Sequence, residues 1–245
     1  MTQIFPLSEG AFSVGADKTF IPFNLETDDI QDRKTGSMLI EVQPFAVVND
    51  KDVIIFDTGL GMIEENGLSQ ITNNLLANNI HPEDVTKILL SHLHKDHVGG
   101  LLRIIQEGTY ANAKIYIYEP EFDFAYEKGA PSYNLDILNE VRFNDQIEWI
   151  NGLEGEIDGY IKFRHTGGHS PQHIAFLVYN DDSVIFYGGD EAAQSKQLKF
   201  KYIAKYDYDG RKAMELRKRW MEMGKEEKWD FLFYHDVKVP HQIFE

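Results

Sequence analysis

The segment Lys87-Ile88-Leu89-Leu90-Ser91-His92-Leu93-His94-Lys95-Asp96-His97-Val98-Gly99-Gly100 reads in two halves. Its opening is a short apolar run of the kind that forms a buried strand. Its second half places three imidazoles and a carboxylate within six positions, His92 to His97. In a chain with nine histidines, a chance HxHxDH is expected in about one such sequence per thousand. In extended backbone, residues two apart point the same way, so His92 and His94 can address one ion. Asp96 and His97 come after the chain turns and can aim at a second. Gly99-Gly100 permits a tight turn and close backbone approach beside them. Burying such a group unpaired would be costly, which makes a metal site the economical reading.

Composition narrows the chemistry further. The chain has no cysteine, so thiolate sites, thiol nucleophiles and disulfides are excluded, and any metal must be held by histidine and carboxylate. Forty acidic against 24 basic residues give a formal charge of −16. Such a surface repels a phosphate backbone, so a small molecule is the expected partner rather than nucleic acid. At 245 residues, 42% of them apolar, the chain is large enough for a substantial core. No repeat or linker-like tract divides it, so residues 1–245 are read as one domain. Met1–Gly15 lacks the basic-then-apolar pattern of a secretory leader, and no run approaches the length of a membrane span. These features predict a soluble cytoplasmic protein without membrane attachment, and a homodimer is an allowed assembly.

Strand-like runs are expected at Met38–Val48, Val53–Asp57, Lys87–Leu90, Lys114–Tyr118, Tyr160–Arg164, Ile174–Tyr179, Val184–Tyr187 and Trp229–Tyr234. Helical periodicity is clearest at Leu68–Leu76 and Arg211–Glu227, where Ala213, Leu216, Trp220 and Met223 line one face. Phe20–Ser37 reads as a long loop, suited to a lid. Four of the strand-like runs lead to a histidine or aspartate: His92, His169, Asp190 and His235. If their C-terminal ends share one edge, the loops there would present a site on a rigid scaffold.

Each of these residues has an ordinary reading as well. His169, in Thr166-Gly167-Gly168-His169-Ser170-Pro171-Gln172-His173, is read as a ligand and His173 as its supporting neighbour, with His165 competing with both for the ligand role. Asp190 alone could be a helix cap, and His235 alone a partner of Asp236. The complete set of histidines and aspartates raises both. His81 and His241 are read as ordinary surface or packing residues.

HxHxDH followed by Thr166–His173, then Gly189-Asp190, then a late His235, resembles the metallo-β-lactamase superfamily. Asp57-Thr58-Gly59 resembles that superfamily's DTG segment. The resemblance implies an α+β fold, a four-layer αββα sandwich with the site at one edge between two sheets. It implies that His92, His94 and His169 bind one metal, that Asp96, His97 and His235 bind a second, and that Asp190 bridges them. Neutral imidazoles and carboxylates suit two Zn2+ ions, with Mn2+ or Fe2+ as alternatives.

Absence of cysteine and an intact Asp96-His97 pair set aside the β-lactamases themselves. The flavodiiron branch has Glu at the place of His94. The 45 residues from Asp190 to His235 leave little room for an inserted nuclease domain. The best remaining resemblance is to lactonase-like and glyoxalase-II-like hydrolases. Tyr234-His235-Asp236 looks like the acyl-homoserine lactonase side, although Ala193 stands where those enzymes often carry a tyrosine.

The implied activity is hydrolysis of a lactone or ester by a hydroxide shared between two metals. Asp96 and Asp190 would orient it and move its proton, while Asp57 would fix the tautomer of a ligand histidine. Aromatic segments Phe20–Phe23, Glu121–Tyr126 and Leu198–Tyr208 are expected over the site, with Phe20, Phe23, Phe122, Tyr202 and Tyr206 as substrate contacts. The alternatives are a mono-iron persulfide dioxygenase, a thioester hydrolase and a non-catalytic metal-binding member.

Overall fold

The computed structural model describes residues 2–181 and 183–245. Its first strands are β1 (Gln3–Pro6), β2 (Gly10–Val14), β3 (Phe20–Pro22), β4 (Met38–Val42), β5 (Phe45–Val48) and β6 (Val53–Phe56). Then come β7 (Lys87–Leu89), β8 (Lys114–Tyr118), β9 (Ile147–Ile150), β10 (Glu154–Ile157) and β11 (Ile161–His165). The last are β12 (Ile174–Tyr179), β13 (Val184–Tyr187), β14 (Trp229–Leu232) and β15 (His241–Ile243). Between them run helices α1 (Gln70–Ala77), α2 (Lys95–Val98), α3 (Leu101–Glu107) and α4 (Glu119–Lys128). Farther along the chain are α5 (Leu135–Val141), α6 (Ser195–Lys199) and α7 (Gly210–Glu226).

One six-stranded sheet has the order β1-β5-β6-β7-β8-β9 and a second the order β10-β11-β12-β13-β14-β15. A three-stranded sheet, β3-β2-β4, accompanies them. The two-residue period of strands assigns their side chains to layers. Ile54, Phe56, Leu89, Tyr116 and Tyr118 of the first sheet meet Phe176, Ile185, Tyr187 and Leu232 of the second in one central core. Their alternates Ile55, Ile88, Ile115 and Ile117 face outward and are covered by Leu75, Leu101, Phe122 and Leu138 from α1, α3, α4 and α5. On the far side, Phe186 and Phe231 pack against Trp220 of α7. The result is the α+β sandwich of four layers, helix, sheet, sheet, helix. Each large apolar side chain removed from water contributes about 1.5–3 kcal/mol, which favours these strands buried on both faces.

Strands β6 to β9 are parallel neighbours, and the required crossovers are the helices of the outer layer. Strand β11 is antiparallel to β12, β12 to β13, and β13 is parallel to β14. Strands β11, β13 and β14 therefore end at the same edge, which is how His169, Asp190 and His235 come to share one side of the second sheet.

Two expected elements differ. Met38–Val48 is not continuous: β4 joins the small sheet and β5 the first large one, with Gln43-Pro44 between them. Pro44 lacks the amide donor a central strand would use. Phe20–Ser37 begins with β3, whose Phe20, Ile21 and Pro22 pair with β2. The remainder is irregular apart from one short turn at Ile30–Asp32.

In α7 the Asp209 side chain accepts from the Lys212 amide and caps the helix start. Its buried face is Ala213, Arg217, Trp220 and Gly224, shifted from the expected set because Arg217 has internal partners. Gly224 lies against the Phe231 ring, where an added Cβ would overlap ring carbons. Helix propensity alone would favour Gly224→Ala by up to about 1 kcal/mol. The overlap outweighs it, and urea denaturation is expected to show Gly224→Ala destabilised by about 1–3 kcal/mol.

Candidate metal centre

The HxHxDH segment leaves β7 at the sheet edge and re-enters helical backbone at α2, with His94 at the N-cap. The helical turn separates Asp96 and His97 in direction from His92 and His94. Gly99 and Gly100 bring this turn against the loop after β6: a Cβ on Gly99 would overlap the Leu60 backbone, and one on Gly100 the Thr58 carbonyl. Tyr234 supports the turn from the second sheet. Its ring stacks on His97 at 4.0 Å between centroids, and its hydroxyl donates to the Asp96 carbonyl at 2.6 Å.

Two donor sets form where these loops meet. In the first, ligand atoms of His92, His94, His169 and Asp190 all lie within 4.8 Å of one another; the second is Asp96, His97 and His235. His92 Nε2 and His94 Nδ1 are 2.9 Å apart, and His169 Nε2 is 3.3 Å from the same His94 atom. Asp190 divides its oxygens between the sets. Its Oδ2 lies 3.2 Å from His169 Nε2, while Oδ1 lies 3.2 Å from His97 Nε2 and 3.0 Å from His235 Nε2. Asp96 Oδ2 faces His235 Nε2 at 3.5 Å and His97 Nε2 at 3.9 Å.

A surrounding layer decides which nitrogen of each ring faces inward. Asp57 Oδ2 accepts from His97 Nδ1 at 2.7 Å. The same carboxylate accepts from the Ser91 amide and hydroxyl at 2.8 and 2.7 Å, and from the Tyr187 hydroxyl. His235 Nδ1 donates to the Glu41 carbonyl at 2.6 Å, and His169 Nδ1 to Asp207 at 3.3 Å. Arg217 in turn donates to Asp207 at 3.0 Å and to the Glu191 carbonyl at 2.5 Å. The Glu191 side chain accepts from Thr166 Oγ1, Gly168 N and His169 N at 2.8, 3.2 and 3.0 Å. With Nδ1 of His97, His169 and His235 engaged by acceptors behind each ring, Nε2 is the nitrogen turned to the interior.

The electrostatics bear on what could occupy the sets. Burial, with neighbouring histidines, holds His92 and His94 well below the ordinary imidazole range. Burial would lower His97 and His235 too, but the Asp190 charge overrides it and raises both. Asp190 is itself held well below the carboxylate range: burial opposes this, and His235, His97 and His169 outweigh it. His97 Nε2 and Asp190 Oδ1 are buried without a hydrogen-bond partner; at 3.2 Å they approach each other without the alignment of a hydrogen bond. Imidazole nitrogens converging on a buried carboxylate suit divalent cations, and these residues fit a pair of them.

A cavity of about 670 Å³ opens over both sets, lined by Phe20, Tyr202, Tyr206 and Ala193 among others. Phe23 and Phe122, expected there, are elsewhere. Phe122 is in the core under the first sheet, stacked edge-on against Trp149 at 5.0 Å, because Glu121–Tyr126 is part of helix α4 and turns that face inward. Phe23 is half-buried beneath the Arg33 guanidinium. His173 lies beside His92, ring centroids 4.9 Å apart, with Nδ1 on Thr166 Oγ1 at 2.9 Å. His165 turns to the Pro171 carbonyl at 2.8 Å and joins neither set.

Several supporting residues have no signal in the sequence. Glu191, Asp207 and Arg217 form one such group. Another is Glu121, whose carboxyl accepts from the Leu93 amide, Tyr133 and Ser170 at 3.1–3.3 Å and joins the two histidine loops. Burial pushes it up to about 7.

The family model for the metallo-beta-lactamase superfamily matches residues 40–235. An N-acyl homoserine lactonase of Bacillus cereus is 28% identical over 158 residues, 64% of this chain and 58% of the lactonase. Over that match, the chain therefore spans under two thirds of that relative's length. A Bacillus sp. N-acyl homoserine lactonase is 26% identical over 218 residues, covering 87% of this chain and 80% of its own. Among solved structures, the dizinc quorum-quenching lactonase AidC superposes with a TM-score of 0.71 at 18% identity, covering 99% of this chain and 90% of AidC. No helix among the described residues is long and apolar enough to cross a membrane.

Because His97 and His235 are raised above the ordinary histidine value of 6.5, a cation entering the second set must displace their protons. Zinc affinity should therefore fall as pH decreases, by up to about a hundredfold per unit where both rings are protonated; chelator competition from pH 9 to pH 6 reads this directly. Asp207→Asn should weaken zinc binding about 10- to 100-fold in the same assay, since it removes the charge that fixes His169.

Proposed function

The chain belongs to the metallo-beta-lactamase superfamily, and from that premise we propose that residues 1–245 form one domain that hydrolyses lactones or esters with two bound metal ions. His92, His94, His169 and Asp190 would hold one ion, and Asp96, His97, His235 and the other oxygen of Asp190 the second. Asp190 carries this reading, because its two carboxylate oxygens face different histidine sets at 3.0–3.2 Å. A donor set of imidazole and carboxylate without thiolate favours zinc, with manganese and iron next. Bound there, two divalent ions would supply Lewis acidity and a water of lowered pKa.

The protein's own residues account for the rest of the site's work. Asp57 keeps the His97 proton on Nδ1, and Asp207 does the same for His169, so both rings offer Nε2 inward. Asp96 and Asp190 stand where a carboxylate can take a proton from the attacking water and return it to the leaving alkoxide. Tyr202, Tyr206 and Phe20 line the cavity and would exclude water around an acyl chain. A cavity of about 670 Å³ is of the size that encloses a small organic molecule.

The similarity to N-acyl homoserine lactonases makes such lactones the first compounds to test. Two complete donor sets favour this reading over a persulfide dioxygenase using one iron. Elemental analysis of purified protein is expected to find close to two metals per chain. Lactone or ester hydrolysis should fall by at least about a hundredfold in His94→Ala and Asp190→Asn. A fully active metal-free preparation would overturn the proposal, as would oxygen uptake with a persulfide and no ester turnover.

A further inference from the structure

Apart from the candidate ligands, every charged side chain lining the cavity is a lysine: Lys18, Lys95, Lys196 and Lys205. This local excess occurs in a chain with 40 acidic and 24 basic residues. Among the described residues, the lysines that form ion pairs with carboxylates are others, Lys34, Lys87, Lys114 and Lys218. Among the described residues, none of the four cavity lysines forms such a pair.

Two of the four are placed by the fold. Lys95 lies between His94 and Asp96 at the start of α2, its ammonium 5.7 Å from the Phe20 ring centroid. Lys18 has φ of 58°, in the left-handed region that a long side chain seldom occupies. Asp17 holds this turn by accepting from the Thr19 amide at 3.2 Å, and its other oxygen is directed to Lys34 at 3.6 Å. The neighbouring carboxylate is therefore engaged away from Lys18. Lys196 and Lys205 are more exposed and flank in sequence the segment that carries Tyr202. The lining also includes apolar Val14, Met38 and Ile40 together with Phe20, Tyr202 and Tyr206.

We propose that the cavity selects an amphiphilic anion: a lactone or ester with an apolar body and a second, negatively charged group, carboxylate or phosphate, received by Lys18 and Lys95 and flanked by Lys196 and Lys205. The inference rests on the hydrolase reading above and narrows its substrate class. Lysine is a point charge with rotatable donors, so it recognises negative charge without demanding one planar geometry.

The test uses the metal-loaded full chain and three matched γ-lactones whose side chains end in a carboxylate, a phosphate or a neutral methyl amide. At least one charged compound is expected to exceed the amide in kcat/KM by about tenfold, and the better of the two identifies the anion. That ratio should collapse towards unity in Lys18→Gln/Lys95→Gln and shrink as ionic strength rises. Calorimetric titration with glutarate supplies a readout without turnover, with binding expected to weaken at least about fivefold in the double variant.

Equal or better hydrolysis of the amide would overturn the proposal. Glutarate binding indifferent to both the lysines and salt would do so as well, since it would place the anion on the metals alone. If none of the three lactones is turned over while glutarate binding remains lysine-dependent, the lactone reading fails and the anion site stands.

Discussion

A carboxylate buried between two groups of imidazoles is the constraint around which this protein is arranged. Asp190 cannot sit in a dry interior without compensation, and its two oxygens are directed at different histidines. The Asp190 charge raises His97 and His235, and those rings in turn hold Asp190 low. Divalent ions would perform the same compensation with higher charge and without hydrogen atoms between the donors. The second layer is consistent with that exchange. Asp57, Asp207 and the Glu41 carbonyl hold Nδ1 protons at the back of the rings, so the inward nitrogens are free to change partner without any ring turning over.

Rigidity of this kind depends on the sandwich. Loops that carry the donors are short and begin at the ends of strands packed on both faces. Where a loop is longer, a buried polar group joins it to a neighbour: Glu121 spans the loops of Leu93 and Ser170, and Glu191 holds residues 166–169. Arg217 extends the connection to α7, so the outermost helix of the second sheet is linked through Asp207 to a ring at the centre of the site. A buried arginine with two acceptors on separate segments contributes more to positioning than to stability, since desolvation cancels much of its attraction.

The sequence makes the local part of this legible and leaves the rest obscure, for physical reasons. HxHxDH is readable because all its members act within one strand end and one helical turn, where spacing determines direction. The alternation of Ile54, Ile55 and Phe56 between cores is likewise local, and it supports the layered fold. Asp207, Arg217, Glu191 and Glu121 acquire their roles only from contacts between distant segments, and a carboxylate in a polar loop looks the same whether it faces solvent or an imidazole. Phe122 shows the converse ambiguity. Aromatic residues are as frequent in cores as in pockets, and only the helical face of α4 decides that this one is core. Ala193 lines the cavity and its carbonyl accepts the His235 amide at 2.9 Å. It thus holds the second donor set through its backbone, a use that leaves no trace in residue type.

The net charge of −16 would at first argue against an anionic substrate. Distance resolves the conflict. At physiological ionic strength, exposed charges beyond about 8 Å are largely screened, so the acidic exterior acts weakly on a molecule already inside the cavity. Apart from the candidate ligands, the charged side chains that line the cavity are Lys18, Lys95, Lys196 and Lys205. Low-dielectric walls strengthen their field over that of the same groups on an open surface. Acidity of the whole molecule and a lysine-bearing cavity are therefore compatible. The first bears on encounters with other macromolecules, and the second, as proposed above, on which small molecules remain bound.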